Sequence, residues 1–247
     1  MIGWTLALDT ATAATVAAAV APDAADGTAG ARAARFEAPE VDAARSRPGR
    51  PDHTRRLLAL AEDALRATGG DWSSVSRIVV GLGPGTFTGI RVGVATARAA
   101  ALASGADVIG VPSSAALAAA ARDAGTDGPI LVAQDARRKE YFLTLVGPGD
   151  VAEQAATLQP WTCAQDELAA TVAALDPRPA AAVGDGALAW RDELEALGVR
   201  VPTAPAAHVV DGLALLDAAA STPPGTADEV RPVYVRAPDA IPTAERR

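Results

Sequence analysis

The 247-residue sequence predicts an α/β fold of two lobes, each a mixed sheet with flanking helices, the second lobe reduced. Three observations predict it. Residues 2–9, 14–21 and about 31–38 read as three successive strands separated by turn-rich segments. From Asp52 to Val111 the pattern then alternates helix, strand, helix, strand. Finally, 49% of the residues are hydrophobic, enough for one large domain or two lobes with real cores. We place the lobe boundary near 110, giving lobes 1–110 and 111–247, with 206–247 able to pack back on the first lobe.

The early strands are joined by the tight turn Thr10-Ala11-Thr12-Ala13 and the Gly/Asp-rich segment Pro22–Gly30. Residues 39–52 form a polar, proline-rich loop, and Arg45, Arg47, Arg50, Arg55 and Arg56 cluster in and just after it. This basic concentration in an acidic chain reads as a solvated loop, with a minor RNA or acidic-partner contact as the sharper alternative. A helix is expected from His53 to Thr68, with Asp52 as its N-cap and Gly69-Gly70 ending it. Leu57, Leu58, Ala61, Ala64 and Leu65 make its apolar stripe.

The stretch Arg77–Gly105 is the centre of the pattern. A buried strand, Ile78-Val79-Val80, runs into Gly81-Leu82-Gly83-Pro84-Gly85-Thr86-Phe87-Thr88, and a helix follows from about Thr88 to Ser104. The loop lacks the Lys-Ser/Thr pair of a Walker A loop, and its glycines do not follow the dinucleotide spacing. It is therefore either an anion cradle, with Gly83 and Gly85 as its candidates, or a tight strand-to-helix connection; spacing alone favours the connection. Gly89, Gly93, Ala97 and Ala101 recur every four residues and stack small side chains on one helical face, against which another helix could lie closely.

Further on come a strand at Asp107–Val111, an alanine-rich helix from Ser113 to near Gly125, and paired strands at 130–136 and 140–146. Thr162-Cys163-Ala164-Gln165 fits a capping box, so a helix is expected to run to about Leu175. Ala180–Val183 reads as a strand, 187–197 and 206–220 as helices, and Arg231–Val235 as a short edge strand. Three hairpin-joined strands followed by helix, strand, helix, strand is the order of an actin-like (ASKHA) ATPase lobe, the class of sugar kinases and heat-shock proteins.

Catalytic equipment is sparse. Asp9, Asp135 and Asp185 stand near strand or loop ends, where a two-lobed ATPase places metal-holding carboxylates. Ala11, however, occupies a turn position where glycine would let backbone approach a phosphate. The two histidines, His53 and His208, form no His-x-x-x-His pair, and no Gly-x-Ser-x-Gly elbow is present. Cys163, the single cysteine, excludes an internal disulfide and a cysteine zinc cage and has no basic neighbour to activate it. The expectation is an actin-like body with its catalytic set missing: no catalytic residue, no metal and no intrinsic cofactor, with ATP or ADP only as a minor alternative. The rival is a small-molecule kinase using Asp9 and Asp135 around ATP.

The segment GLGPGTFTGIRVGVATARAAALA, residues 81–103, resembles the signature of the TsaB (YeaZ) family. Other matches follow in order along the chain: TLALDTATAATV at 5–16, His53-Thr54, Gln134-Asp135-Ala136-Arg137 with Tyr141-Phe142, Val183-Gly184-Asp185-Gly186 with Trp190, and Pro232–Arg236. The resemblance implies a non-catalytic dimerisation and activation subunit. It would pair with the catalytic subunit TsaD, and with the ATPase TsaE, for threonylcarbamoyl transfer to the adenosine next to the tRNA anticodon. When alone it would pair with itself. The two helices of residues 53–68 and 88–104 would carry that pairing through His53, Leu57, Leu58, Ala61, Leu65, Thr88, Gly89, Val92, Gly93 and Ala97.

Net charge is −8 and the sequence pI about 4.8, a poor balance for gripping phosphate backbones over a whole surface, so tRNA is expected to be met mainly through the complex. No apolar run reaches membrane-spanning length, and Asp9 interrupts the short apolar N-terminal run. A cytoplasmic protein without membrane contact is the expectation.

Overall fold

A computed structural model describes residues 3–23, 29–37, 41–42, 47–48 and 52–236. Most of the arginine-rich loop lies outside the described residues, as does the tail after 236.

Three strands open the chain, β1 (Trp4–Asp9), β2 (Thr15–Val20) and β3 (Arg32–Glu37), followed by the two-residue pair β4 (Val41–Asp42) and β5 (Arg47–Pro48). Then come α1 (His53–Ala67), β6 (Val75–Gly81), α2 (Phe87–Ser104) and β7 (Asp107–Val111). The first sheet has the order β3-β2-β1-β6-β7. Its β1, β6 and β7 run parallel, while β2 and β3 join antiparallel on one side, so the sheet is mixed. After α3 (Ser113–Asp123), the strands β8 (Ile130–Asp135), β9 (Glu140–Val146), β10 (Trp161–Ala164) and β11 (Ala181–Val183) build a second mixed sheet of order β10-β9-β8-β11. Short helices complete the chain: α4 (Val151–Gln154), α5 (Leu168–Ala173), α6 (Asp185–Ala189), α7 (Arg191–Ala196) and α8 (Gly212–Ala218). Two mixed sheets with flanking helices are the α/β, two-lobed actin-like architecture that the element order predicts.

Strand alternation sorts the core. On β1 and β6, Leu6, Leu8, Ile78 and Val80 face α1 and α2, where they meet Leu57, Leu65 and Ile90. Ala7 and Val79, one residue out of phase, face the opposite side and share a cluster with α3, α8 and the inner residues Ile130 and Val132 of the second sheet. Half of the buried side chains there are alanine, so α3 and α8 lie close against the sheets. A third cluster, Leu131, Leu143, Leu168 and Leu194, covers the outer face of the second sheet. Each such leucine is buried in full and contributes roughly 1.5–3 kcal/mol.

Five sequence expectations need correction, the first being the helix expected over 206–220, which is a 3₁₀ turn at Pro205–His208 and, after a break, only α8. Asp52 occupies the N-cap position of α1 but its side chain makes no capping bond. The capping-box residues Thr162–Ala164 belong instead to β10, an edge strand paired antiparallel with β9, and only a 3₁₀ turn and the short α5 follow. The helix expected over 187–197 is interrupted at Trp190, giving α6 and α7. Residues 231–235 form no strand; one backbone bond, Val233 N–H to the Leu82 carbonyl at 3.0 Å, joins that segment to the glycine loop.

Candidate functional site: the glycine loop and the cleft beside it

The loop between β6 and α2 is the junction of the molecule. Its backbone bonds the β1–β2 turn (Thr86 N–H to the Ala11 carbonyl, 2.8 Å), the edge strand β7 (Leu82 N–H to the Val111 carbonyl, 2.9 Å) and the start of α3 (Ser113 N–H to the Gly83 carbonyl, 2.7 Å). Gln134 of β8 reaches across from the second sheet and donates to the Pro84 carbonyl at 3.1 Å. Two of the glycines are explained by proximity. A Cβ at Gly81 would stand 1.7 Å from Asp9 Oδ2, and one at Gly89 would stand 2.0 Å from the Thr10 carbonyl oxygen. These contacts make the loop a tight strand-to-helix connection built for close backbone approach.

Asp9 lies at the centre of this junction with 0% exposure. Its Oδ1 accepts the Ala11 N–H at 2.8 Å, and its Oδ2 accepts the Ser113 hydroxyl at 2.5 Å. Ser113 Oγ in turn accepts the Gly83 N–H at 3.2 Å. The carboxyl thus ties β1 to α3 and the loop. Burial pushes it up from 3.8 to about 6, against the opposing pull of the Ser113 and Ala11 donors. The acid that an ATPase would turn toward a metal is enclosed in the chain's own hydrogen bonds. Gly83 is engaged by Ser113 in the same network, and a Cβ on Gly85 would collide with the Ala11 carbonyl.

Beyond the loop opens a cleft of about 430 Å³ between the two sheets. Pro84, Ile90 and Phe142 are among its walls, together with Val233, and Asp135 and Arg137 stand at its far side. Asp135 and Asp185 are brought together there: Asp185 Oδ1 accepts the Asp135 N–H at 3.0 Å, and Asp135 pairs with Arg137 at 2.9 Å. Asp9 is not among the residues lining this cleft. Among the described residues, no group of three or more His, Cys, Asp or Glu side chains is placed to hold a metal ion.

The remaining candidates are mostly internal. His53 Nδ1 shares a hydrogen bond with Thr15 Oγ1 at 2.8 Å, tying the start of α1 to β2, and burial lowers its basicity. His208 faces the Gly184 and Pro202 carbonyls with its two ring nitrogens. Cys163 is buried with Thr171 Oγ1 at 3.4 Å. Of the ten helix residues expected to meet a partner, His53, Leu57, Ala61, Leu65, Gly89, Gly93 and Ala97 are buried within the chain itself. The small face of α2 meets its own β1–β2 turn, where a Cβ on Gly93 would lie 2.7 Å from Thr10 Oγ1. Helical periodicity could not tell an inward face from an outward one. Leu58, at 53% exposure, and Thr88 stand on the surface, with Val92 half-buried. Sequence reasoning missed the exposed apolar residues Phe87, Leu102 and Tyr234, which no periodic pattern marks.

Comparison with known proteins bears on this site. The family model described as "TsaD: tRNA N6-adenosine threonylcarbamoyltransferase" matches residues 49–177, more than half of the chain and all of the glycine loop. The tRNA threonylcarbamoyladenosine biosynthesis protein TsaB of Escherichia coli is 33% identical over 91 residues, 37% of this chain and 39% of that protein. An uncharacterized protein of Mycobacterium tuberculosis is 42% identical over 86 residues, 35% of this chain and 36% of its own. These matched stretches span about two fifths of the length of the curated relatives. A solved structure, YeaZ from Pseudomonas aeruginosa, superposes with a TM-score of 0.68 at 22% identity, covering 94% of this chain and 99% of that one, which supports the fold. The chain belongs to the family of that TsaD model.

Proposed function

We propose that this chain is a non-catalytic scaffold and activating subunit in tRNA threonylcarbamoyladenosine biosynthesis, the process named for its Escherichia coli relative. It would pair with TsaD, with TsaE joining, and would work in the cytoplasm where tRNA is modified. The carrying observation is Asp9. In an actin-like ATPase the acid ending the first strand must face the cleft, whereas here it has 0% exposure and both carboxyl oxygens accept internal donors. A residue so enclosed holds the junction together. Transfer chemistry then falls to the partner.

The outer faces of α1 and α2 are the surface that this reading assigns to pairing, with TsaD or with a second copy when the chain is alone. Leu58 is its test residue, because it is exposed while its neighbours Leu57 and Ala61 are buried. Leu58→Glu is expected to change stability by less than about 0.5 kcal/mol. Burying that carboxylate in an interface should weaken pairing with TsaD at least tenfold. Size-exclusion chromatography with light scattering, on the chain alone and mixed with TsaD of the same organism, measures this. A stoichiometric complex, with threonylcarbamoyl transfer to tRNA only in the reconstituted mixture, supports the reading. ATP turnover by the chain alone, without a complex, would instead establish the small-molecule kinase.

A further inference from the structure

The turn between β8 and β9 has a conformation that its sequence resists. Arg137, Arg138 and Lys139 have φ of 63°, 55° and 61°, three successive left-handed residues of which none is glycine. Specific bonds hold them. Asp135 accepts both the Arg137 N–H at 2.7 Å and the Arg137 guanidinium at 2.9 Å. The Arg137 carbonyl accepts the Glu140 N–H at 3.1 Å, and the Lys139 carbonyl accepts the Gln165 N–H at 2.9 Å. Glycine would adopt the same turn without strain, so the surrounding fold maintains three long cations at this tip.

The tip borders the 430 Å³ cleft, and the cleft mouth is aromatic. Phe87, 51% exposed, and Tyr234, 44% exposed, lie with ring centroids 5.4 Å apart. The Arg91 guanidinium sits 3.6 Å over Phe87 and donates to the Tyr234 hydroxyl at 2.7 Å. With Phe142 inside, three of the chain's five Phe and Tyr residues meet at one cleft. In a chain of net charge −8, five cations (Arg91, Arg137, Arg138, Lys139 and Arg236) gather here, against Asp135, Glu140 and Asp185.

We propose that this cleft and tip bind one splayed nucleotide of a single-stranded RNA segment. Its base would lie against Phe87 and Tyr234, and the flanking phosphates on the Arg137–Lys139 turn. Aromatic platforms beside cations are what unpaired RNA requires. The inference rests on the reading that the chain serves a tRNA reaction, and it adds a direct RNA contact to it. A free metal–nucleotide is a poorer fit, because the β1 acid is enclosed and the cations stand at an exposed tip.

The test is fluorescence anisotropy of the intact chain with a labelled, unstructured RNA octamer at 50 and 200 mM salt. Expected is micromolar binding at low salt that weakens as salt rises. The double variant Arg138→Gly/Lys139→Gly should reduce affinity by about tenfold or more and lower the salt slope by about two. It should also raise the thermal midpoint, which a merely misfolded variant would not do. Phe87→Ala should weaken binding by about fivefold or more and leave the salt slope unchanged. Millimolar AMP should fail to displace the octamer. No octamer binding at 50 mM salt, wild-type binding by these variants, or full displacement by AMP would overturn the inference. Normal pairing with TsaD alongside any of these results would remove the RNA site and leave the scaffold reading standing.

Discussion

Two turns, the strand-to-helix turn after β6 in the first sheet and the hairpin after β8 in the second, treat glycine in opposite ways. After β6, in the first sheet, glycine stands wherever a side chain would strike a neighbour: at Gly81 against Asp9, and at Gly89 against the Thr10 carbonyl. After β8, in the second, the backbone is left-handed at three positions and glycine is absent from all of them. The first turn minimises conflict and its polar groups face one another. The second retains strain and turns charge outward. Small residues at the first turn therefore record packing, whereas the second keeps long cations where glycine would relieve the backbone.

The largest test of this contrast is Gly81→Ala. Its Cβ would sit 1.7 Å from Asp9 Oδ2, in a carboxyl that has no room to retreat. Urea unfolding should show a loss of about 3 kcal/mol or more. Gly93→Leu belongs to the same class, since it would strike Thr10 of the same chain before reaching any partner. A fully stable Gly81→Ala would mean that the junction is looser than its hydrogen bonds indicate.

Next in size is the pH dependence carried by Asp9. Its carboxyl ionises near 3.8 when unfolded and near 6 when folded. Below pH 3.8 both states hold the proton and the full stability is present. Between 3.8 and 6 the unfolded chain ionises first and stability falls; above 6 the deficit is constant, at about 3 kcal/mol. Asp9→Asn keeps an acceptor for Ala11 and loses this titration. The stability of Asp9→Asn relative to wild type should therefore rise by about 2.4 kcal/mol between pH 4 and pH 7 in parallel urea titrations. A pH-independent difference would place Asp9 in contact with water.

The smallest effect is at the strained turn. Arg138→Gly removes a left-handed penalty and should raise stability by about 1 kcal/mol, read as a higher urea midpoint at unchanged slope. A loss of stability would show that the arginine side chain, and not an outside ligand, justifies the conformation.

How much of this was legible follows from which signals are local. The strands of the first sheet and the ends of α2, from the Thr86 cap to left-handed Gly105, are marked by alternation, capping residues and glycine. β10 was hidden because Thr162–Gln165 carries a helix-start pattern, while its pairing with β9 depends on residues 18 to 24 positions away. The enclosure of Asp9 was equally out of reach, since Ser113 lies 104 residues downstream. The repeat Gly89, Gly93, Ala97 marks a small helical face but not its neighbour, and Gly89 and Gly93 meet the chain's own β1–β2 turn. The left-handed cations carry no sequence mark at all, because arginine and lysine in a hairpin tip read simply as solvated charge.

The most direct test of the central claim is threonylcarbamoyl transfer to tRNA in a mixture of TsaD, TsaE and the Asp9→Asn chain. If Asp9 is a structural acid of a non-catalytic subunit, the variant will support transfer at the wild-type rate and form the same stoichiometric complex. Loss of transfer by a folded Asp9→Asn chain that still assembles with TsaD would contradict the account and return Asp9 to chemistry.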